Sequence, residues 1–183
     1  MKSKKAARLS KTLQSVAYHE AGHVVVRWHG RLRMPKYVTI IPNEEYLGHV
    51  FGPKFPSSFD FGETQWSGRT QLQLERGIRS VLGGPLAQKK FHPRGFRHDY
   101  AAEDYRQIVD LAIMLSGSDE IASAYIKLLE LQTRNLLNQD WIWQCVEAVA
   151  GALLEQEKLS GKQVKEIILG AIQKRVKKAR QSA

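Results

Sequence analysis

The side chains best suited to chemistry lie in residues 16 to 26, Val-Ala-Tyr-His-Glu-Ala-Gly-His-Val-Val-Val. On a helix, His19 and His23 are four positions apart and therefore one turn apart on the same face. Two imidazole nitrogens can then address one ion. Glu20, at the edge of that face, is within reach of a proton on a water the ion activates. Zinc suits this donor set, because it takes imidazole and carboxylate ligands and leaves a fourth position for water. The alternative is a pair of ordinary helix histidines. With His at ~2% and Glu at ~6% of residues, a chain of this length matches the pattern by chance on the order of once in a few hundred. The metal reading is favoured. Gly22 costs about 1 kcal/mol against alanine in a helix interior, which points to close approach by another element.

A catalytic zinc site needs a third protein ligand. His29 is ten residues after His19, but the metzincin pattern also requires a glycine where Val26 stands. With the helix continuing, His29 lies ~9 Å further along the axis than His23, so it reads as a decoy. The carboxylates Glu44, Glu45, Glu63, Glu75, Asp99, Glu103, Asp104 and Asp110 remain. A ligand from a helix is held more firmly than one from a long loop, which favours 99 to 110. Spacing alone does not choose further.

The elements that must position these groups are mainly helical. Apolar residues recur at helical spacing over 12 to 29, and Gly30 supplies a stop. Lys-Tyr-Val-Thr-Ile-Ile and Tyr-Leu-Gly-His-Val-Phe follow as two short strands of a hairpin. Residues 53 to 68 crowd Pro, Ser, Gly, Phe and Trp without period and read as a binding loop or lid. A helix over 69 to 91 is expected to kink or restart at Pro85. Helices over 100 to 116, 119 to 137 and 140 to 157 come next, with Ser118 as an N-cap. Ser160 to Gln163 reads as a capping box opening the last helix. The predicted fold class is mainly α with a small β-hairpin near its start. Its parts are a basic tail (1–11), one domain (12–170) and a basic helix end (171–183).

Of the 183 residues, 43% are hydrophobic, enough for a substantial core. The net charge of +10 comes from the ends: five cations in residues 1 to 11 and five in 171 to 183, with no acid in either. The remainder balances 18 bases against 18 acids. No aromatic residue is interleaved there to stack on bases, so nucleic-acid binding is disfavoured and solvated termini are expected. No apolar run approaches the roughly 20 residues that span a bilayer, and the reading is a soluble, cytoplasmic protein without a transmembrane segment. The single cysteine, Cys145, falls on an apolar helix face and reads as a buried, inert thiol. Trp141 and Trp143 alternate, so either one of them is exposed, where it could mark a subunit contact, or both belong to a wide buried face.

Taken together, Ala-Tyr-His-Glu-Ala-Gly-His-Val-Val-Val, Val-Thr-Ile-Ile-Pro and Leu-Gly-His-Val resemble the peptidase domain of the FtsH-type, AAA-linked zinc metalloproteases. Ser-Val-Leu-Gly-Gly-Pro-Leu-Ala-Gln-Lys-Lys-Phe is similar to a helix that in the family usually reads Leu-Gly-Gly-Arg-Ala-Ala-Glu-Glu. Glu-Asp-Tyr-Arg-Gln-Ile-Val-Asp-Leu-Ala resembles the helix whose opening Asp is the family's third zinc ligand. The likeness runs from about residue 12 to about residue 170. It implies zinc on His19, His23 and Asp104, with Glu20 as catalytic base; Asp99 and Glu103 are the alternatives under a shifted register. It also implies that an extended substrate lies along the strand at 37 to 42, at Val38, Thr39, Ile40 and Ile41.

Three features depart from the family. Within these residues no Gly-rich Lys-Ser/Thr loop precedes the motif, no apolar run is long enough to be expected to serve as a membrane anchor, and Pro85, Gln88 and Lys89 replace the Arg and the acidic pair. The expected function is an ATP-independent zinc metallo-endopeptidase acting on unfolded or extended polypeptide. The alternative is a catalytically silent module of the same fold that serves as a protein-interaction or regulatory partner. A homo-oligomer or a separately recruited ATPase is compatible with either.

Overall fold

The structure, a computed structural model, describes residues 2–42, 48–51, 67–96 and 101–181, with side chains from residue 11 onward. The opening helix α1 (Lys2–His29) begins ten residues earlier than the apolar period indicates, its backbone already helical through the basic stretch. Ala17, Ala21, Val24, Val25 and Val26 form its buried stripe. It ends where Arg31 adopts the left-handed conformation (φ 55°), one residue beyond the glycine expected to stop it.

Two short strands follow, β1 (Tyr37–Thr39) and β2 (His49–Phe51), antiparallel with Val38 opposite Val50. The helix α2 (Gly68–Phe91) starts at Ser67, whose hydroxyl accepts from the Thr70 amide. It then runs unbroken through Pro85, where a restart or kink was expected. Proline removes one amide donor and crowds the preceding turn. Here α1 packs along the helix on both sides of that position, since Gly22 lies against both Gly83 and Ala87.

After a 3-10 turn at Pro93–Gly95 come α3 (Ala102–Ser116), α4 (Asp119–Leu137) and α5 (Asp140–Gln156), close to the periods read from sequence. Ser118 occupies the N-cap position of α4, but its side chain makes no capping bond. Glu157, also left-handed (φ 58°), turns the chain from α5 into a third strand that the sequence did not suggest, β3 (Lys158–Ser160). The last helix, α6 (Gly161–Gln181), opens with the expected capping box: Gln163 N donates to Ser160 Oγ and Ser160 N to Gln163 Oε1.

The sheet order is β2-β1-β3, all antiparallel. Val38 and Thr39 lie in a central strand flanked on both sides, the Ile40 amide bonds the Glu157 carbonyl, and the Ile41 amide bonds Thr39 Oγ1. Among the described residues, Val38 and Thr39 are thus paired on both sides. Val38 and Leu159 face the core, whereas Tyr37 and Phe51 stack on the outer face, 5.0 Å between ring centroids.

The core lies where α1, α2 and α5 meet the inner face of the sheet, with α3 and α4 packed over α2. Cys145 is buried within it. Trp141 and Trp143 are both half-buried, either side of the buried Ile142, so neither is the exposed one of the pair. Trp143 packs on Tyr18 with the Lys90 ammonium 4.4 Å from its ring centre, and Trp141 approaches His29. Among the described residues, no helix is long and apolar enough to cross a membrane. The stretch 52–66, which holds most of the expected binding loop, lies outside the described residues, as do Glu44, Glu45 and Asp99.

Candidate metal centre

One turn of α1 brings His19 and His23 together. Their Nε2 atoms are 2.9 Å apart, with the rings edge to face. The first turn of α3 supplies Asp104, whose carboxylate oxygens lie 3.0 Å from His19 Nε2 and 3.4 Å from His23 Nε2. Among the described residues these three form the one group of His, Cys, Asp and Glu side chains arranged to share an ion. Glu103, the neighbouring alternative, instead pairs with Arg106 on the exposed side of α3. His29 does not join the group.

The ring orientations are held from the far side. His23 Nδ1 donates to the Ser80 carbonyl at 3.0 Å, and His19 Nδ1 faces Gln88 Oε1 at 3.0 Å. With the amide oxygen of Gln88 turned to the ring, each Nδ1 carries a proton, so in its neutral form each ring turns an Nε2 lone pair inward. Two lone pairs and a carboxylate converge this closely only around something positive, either a shared proton or a metal ion. Zinc with nitrogen and oxygen ligands at about 2.0–2.1 Å spaces tetrahedral ligand atoms by about 3.3 Å, near the separations seen. The residues therefore fit the ion.

The electrostatics agree with this arrangement. Burial works against a charge on His23, but Asp104, Glu20 and the Ser80 carbonyl together raise its pKa to about 9. Burial also opposes ionisation of Asp104, yet the two histidines hold its carboxyl well below the usual range. Glu20 is buried at 5% exposure, and that burial raises its pKa, against the lowering influence of His19 and His23. A carboxylate held in this way is a stronger proton acceptor than one in water.

Glycines make the closeness sterically feasible. A Cβ on Gly22 would overlap the Gly83 carbonyl, so α1 and α2 cross with backbones nearly touching. A Cβ on Gly84 would overlap the His23 ring, and one on Gly48, just before β2, would lie 2.7 Å from Glu20 Oε1. Of these supports, the Gly83-Gly84 pair and Gln88 stood out in the sequence, without an assigned task. Ser80 and Gly48 fell within segments resembling the family but had no assigned task, since one contributes its backbone carbonyl and the other its lack of a side chain.

No family model matches the chain. Among curated proteins it is similar to the ATP-dependent zinc metalloprotease FtsH of Rickettsia typhi, 24% identical over 199 residues, covering 90% of this chain and 30% of that protein. The corresponding FtsH of Rickettsia prowazekii is 23% identical over the same shares. The ATP-dependent zinc metalloprotease YME1 homolog of Caenorhabditis elegans is 26% identical, covering 86% of this chain and 25% of its own length. The resemblance to FtsH-type zinc metalloproteases thus extends over most of this chain, which spans less than a third of those relatives.

Proposed function

We propose that the chain is a zinc metallo-endopeptidase that cleaves extended or unfolded polypeptide without using ATP itself. The observation that carries this reading is the convergence of His19 Nε2, His23 Nε2 and the Asp104 carboxylate beside a buried Glu20. His19, His23 and Asp104 hold the ion. Bound there, zinc supplies Lewis acidity, which eases deprotonation of water and polarises the scissile carbonyl.

Glu20 takes the proton of the attacking water and delivers it to the departing amine nitrogen, so one carboxylate serves as base and then as acid. Its burial supports this shuttle, because a poorly solvated carboxylate binds the proton more readily. The peptide binds in extended form along the 37 to 42 stretch, through main-chain hydrogen bonds. Gly48, the residue before β2, lies against Glu20 and keeps the space beside it open. A peptide bound as a strand is already extended, and the 183 residues contain no Gly-rich Lys-Ser/Thr loop to couple unfolding to nucleotide.

Zinc content and cleavage of unfolded casein, measured together, test the reading. The native chain should bind near one zinc and cleave. Glu20→Gln should keep the metal and lose cleavage by about 10²–10⁴-fold, and Asp104→Ala should lose both. Zinc binding without cleavage in the native chain would favour the silent, partner-binding alternative.

A further inference from the structure

We infer that Gln88 is a positioning residue for metal binding, a neutral partner that fixes His19 in the tautomer able to ligate. This deepens the reading above and rests on it. Gln88 is 4% exposed and lies near the end of α2, one turn beyond Gly84. A buried amide needs partners for its polar atoms, and Gln88 spends its oxygen on His19 Nδ1 at 3.0 Å. That bond keeps the Nδ1 proton in place, so that Nε2 faces His23 and Asp104 with its lone pair. Together with the Asp104 contact on the opposite nitrogen, it fixes the plane of the ring.

His23 is treated differently. Its Nδ1 is held by a backbone carbonyl of α2, which no side-chain substitution removes. The two ligating histidines thus rest on the same helix, one through main chain and one through the Gln88 side chain. Only the His19 anchor depends on a particular residue type, so the sequence tunes the centre at position 88. An amide orients the ring without adding charge. A carboxylate at that position would orient it too and would make the imidazole a stronger donor, as acidic partners of metal-bound histidines do. Lys89, the next residue, is not part of this support; its ammonium lies 5.9 Å from the centre of the Phe96 ring.

The test uses the full chain and zinc itself, with affinity measured by competition against a chromogenic chelator. Cobalt substitution reports ligand geometry through its visible spectrum, and the melting temperature of the metal-free protein reports folding. Gln88→Met, similar in volume but unable to accept the bond, should bind zinc about 10–100-fold more weakly and alter the cobalt spectrum, with the metal-free melting temperature little changed. Gln88→Glu should bind at least as tightly as native. Equal zinc affinity in native and Gln88→Met would overturn the inference while leaving the metal centre standing. Should Gln88→Met fail to fold, Gln88→Glu decides, and weaker binding by that variant overturns the inference. A native chain that binds no zinc removes the reading on which it rests.

Discussion

At the residue scale, the three converging side chains can be held together by a proton or by a metal, and the two compete. In the metal-free protein the pKa of His23, raised to about 9, keeps it protonated at neutral pH, with its Nε2–H directed at the Asp104 carboxylate. Because the folded value exceeds the unfolded 6.5, protonation of His23 contributes stability that is fully present below about pH 6.5 and lost as pH rises through about 9. Asp104, whose pKa is depressed, contributes above its unfolded value near 3.8 and loses that contribution on acidification. The metal-free protein should therefore melt at lower temperature as pH rises from about 6.5 to 9.5, and Asp104→Asn should flatten the slope. Zinc needs His23 neutral, so at pH 7 its binding should release about one proton. Calorimetry in buffers of different ionisation enthalpy reads that number, and a value near zero would show that His23 is already neutral.

At the element scale, the centre depends on how closely α1 and α2 approach, and the glycines test this directly. In an uncrowded helix interior, glycine-to-alanine substitution stabilises by about 0.5–1 kcal/mol. Gly170, midway along α6 with nothing near its would-be Cβ, should show that gain, a rise of about 1–4 °C in melting temperature. Gly22→Ala receives the same propensity benefit but drives a methyl into the Gly83 carbonyl. Overpacking costs about 1–3 kcal/mol or more, so the net change should be a loss, accompanied by weaker zinc binding. A Gly22→Ala protein as stable as native would mean that the helices can separate without cost. The same contrast explains what the sequence disclosed. Period and caps located α3, α4, α5 and the Ser160–Gln163 box because those signals are local. They did not disclose β3, three residues whose strand character comes only from pairing with β1 across the fold. Asp104 was singled out by resemblance, because nothing in its own neighbourhood marks it as the acid that meets His19.

At the scale of the whole molecule, the candidate centre is a tie between elements distant in sequence. His19 and His23 belong to α1, which is packed on α2, α5 and the sheet, whereas Asp104 stands at the start of α3, which packs on α2 and α4. The entry to α3 has no side-chain N-cap bond, since Ala101 occupies that position, and Asp104 in its first turn ties it to α1. A metal that binds the folded chain alone adds stability in proportion to the logarithm of its concentration over Kd, about 2.7 kcal/mol at a hundredfold excess. For a domain of this size that corresponds to about 5–10 °C in melting temperature. Removal of zinc by a chelator should therefore lower the melting temperature by that amount, and amide exchange should show where the loss falls. Protection should drop over residues 102 to 108, at the start of α3, and persist in α5 and α6, whose packing does not involve the ion. A uniform drop across all six helices would instead mean that the metal is part of the global fold, as in a structural zinc site. No change anywhere would mean that Asp104 is held by protonated His23 as firmly as by metal.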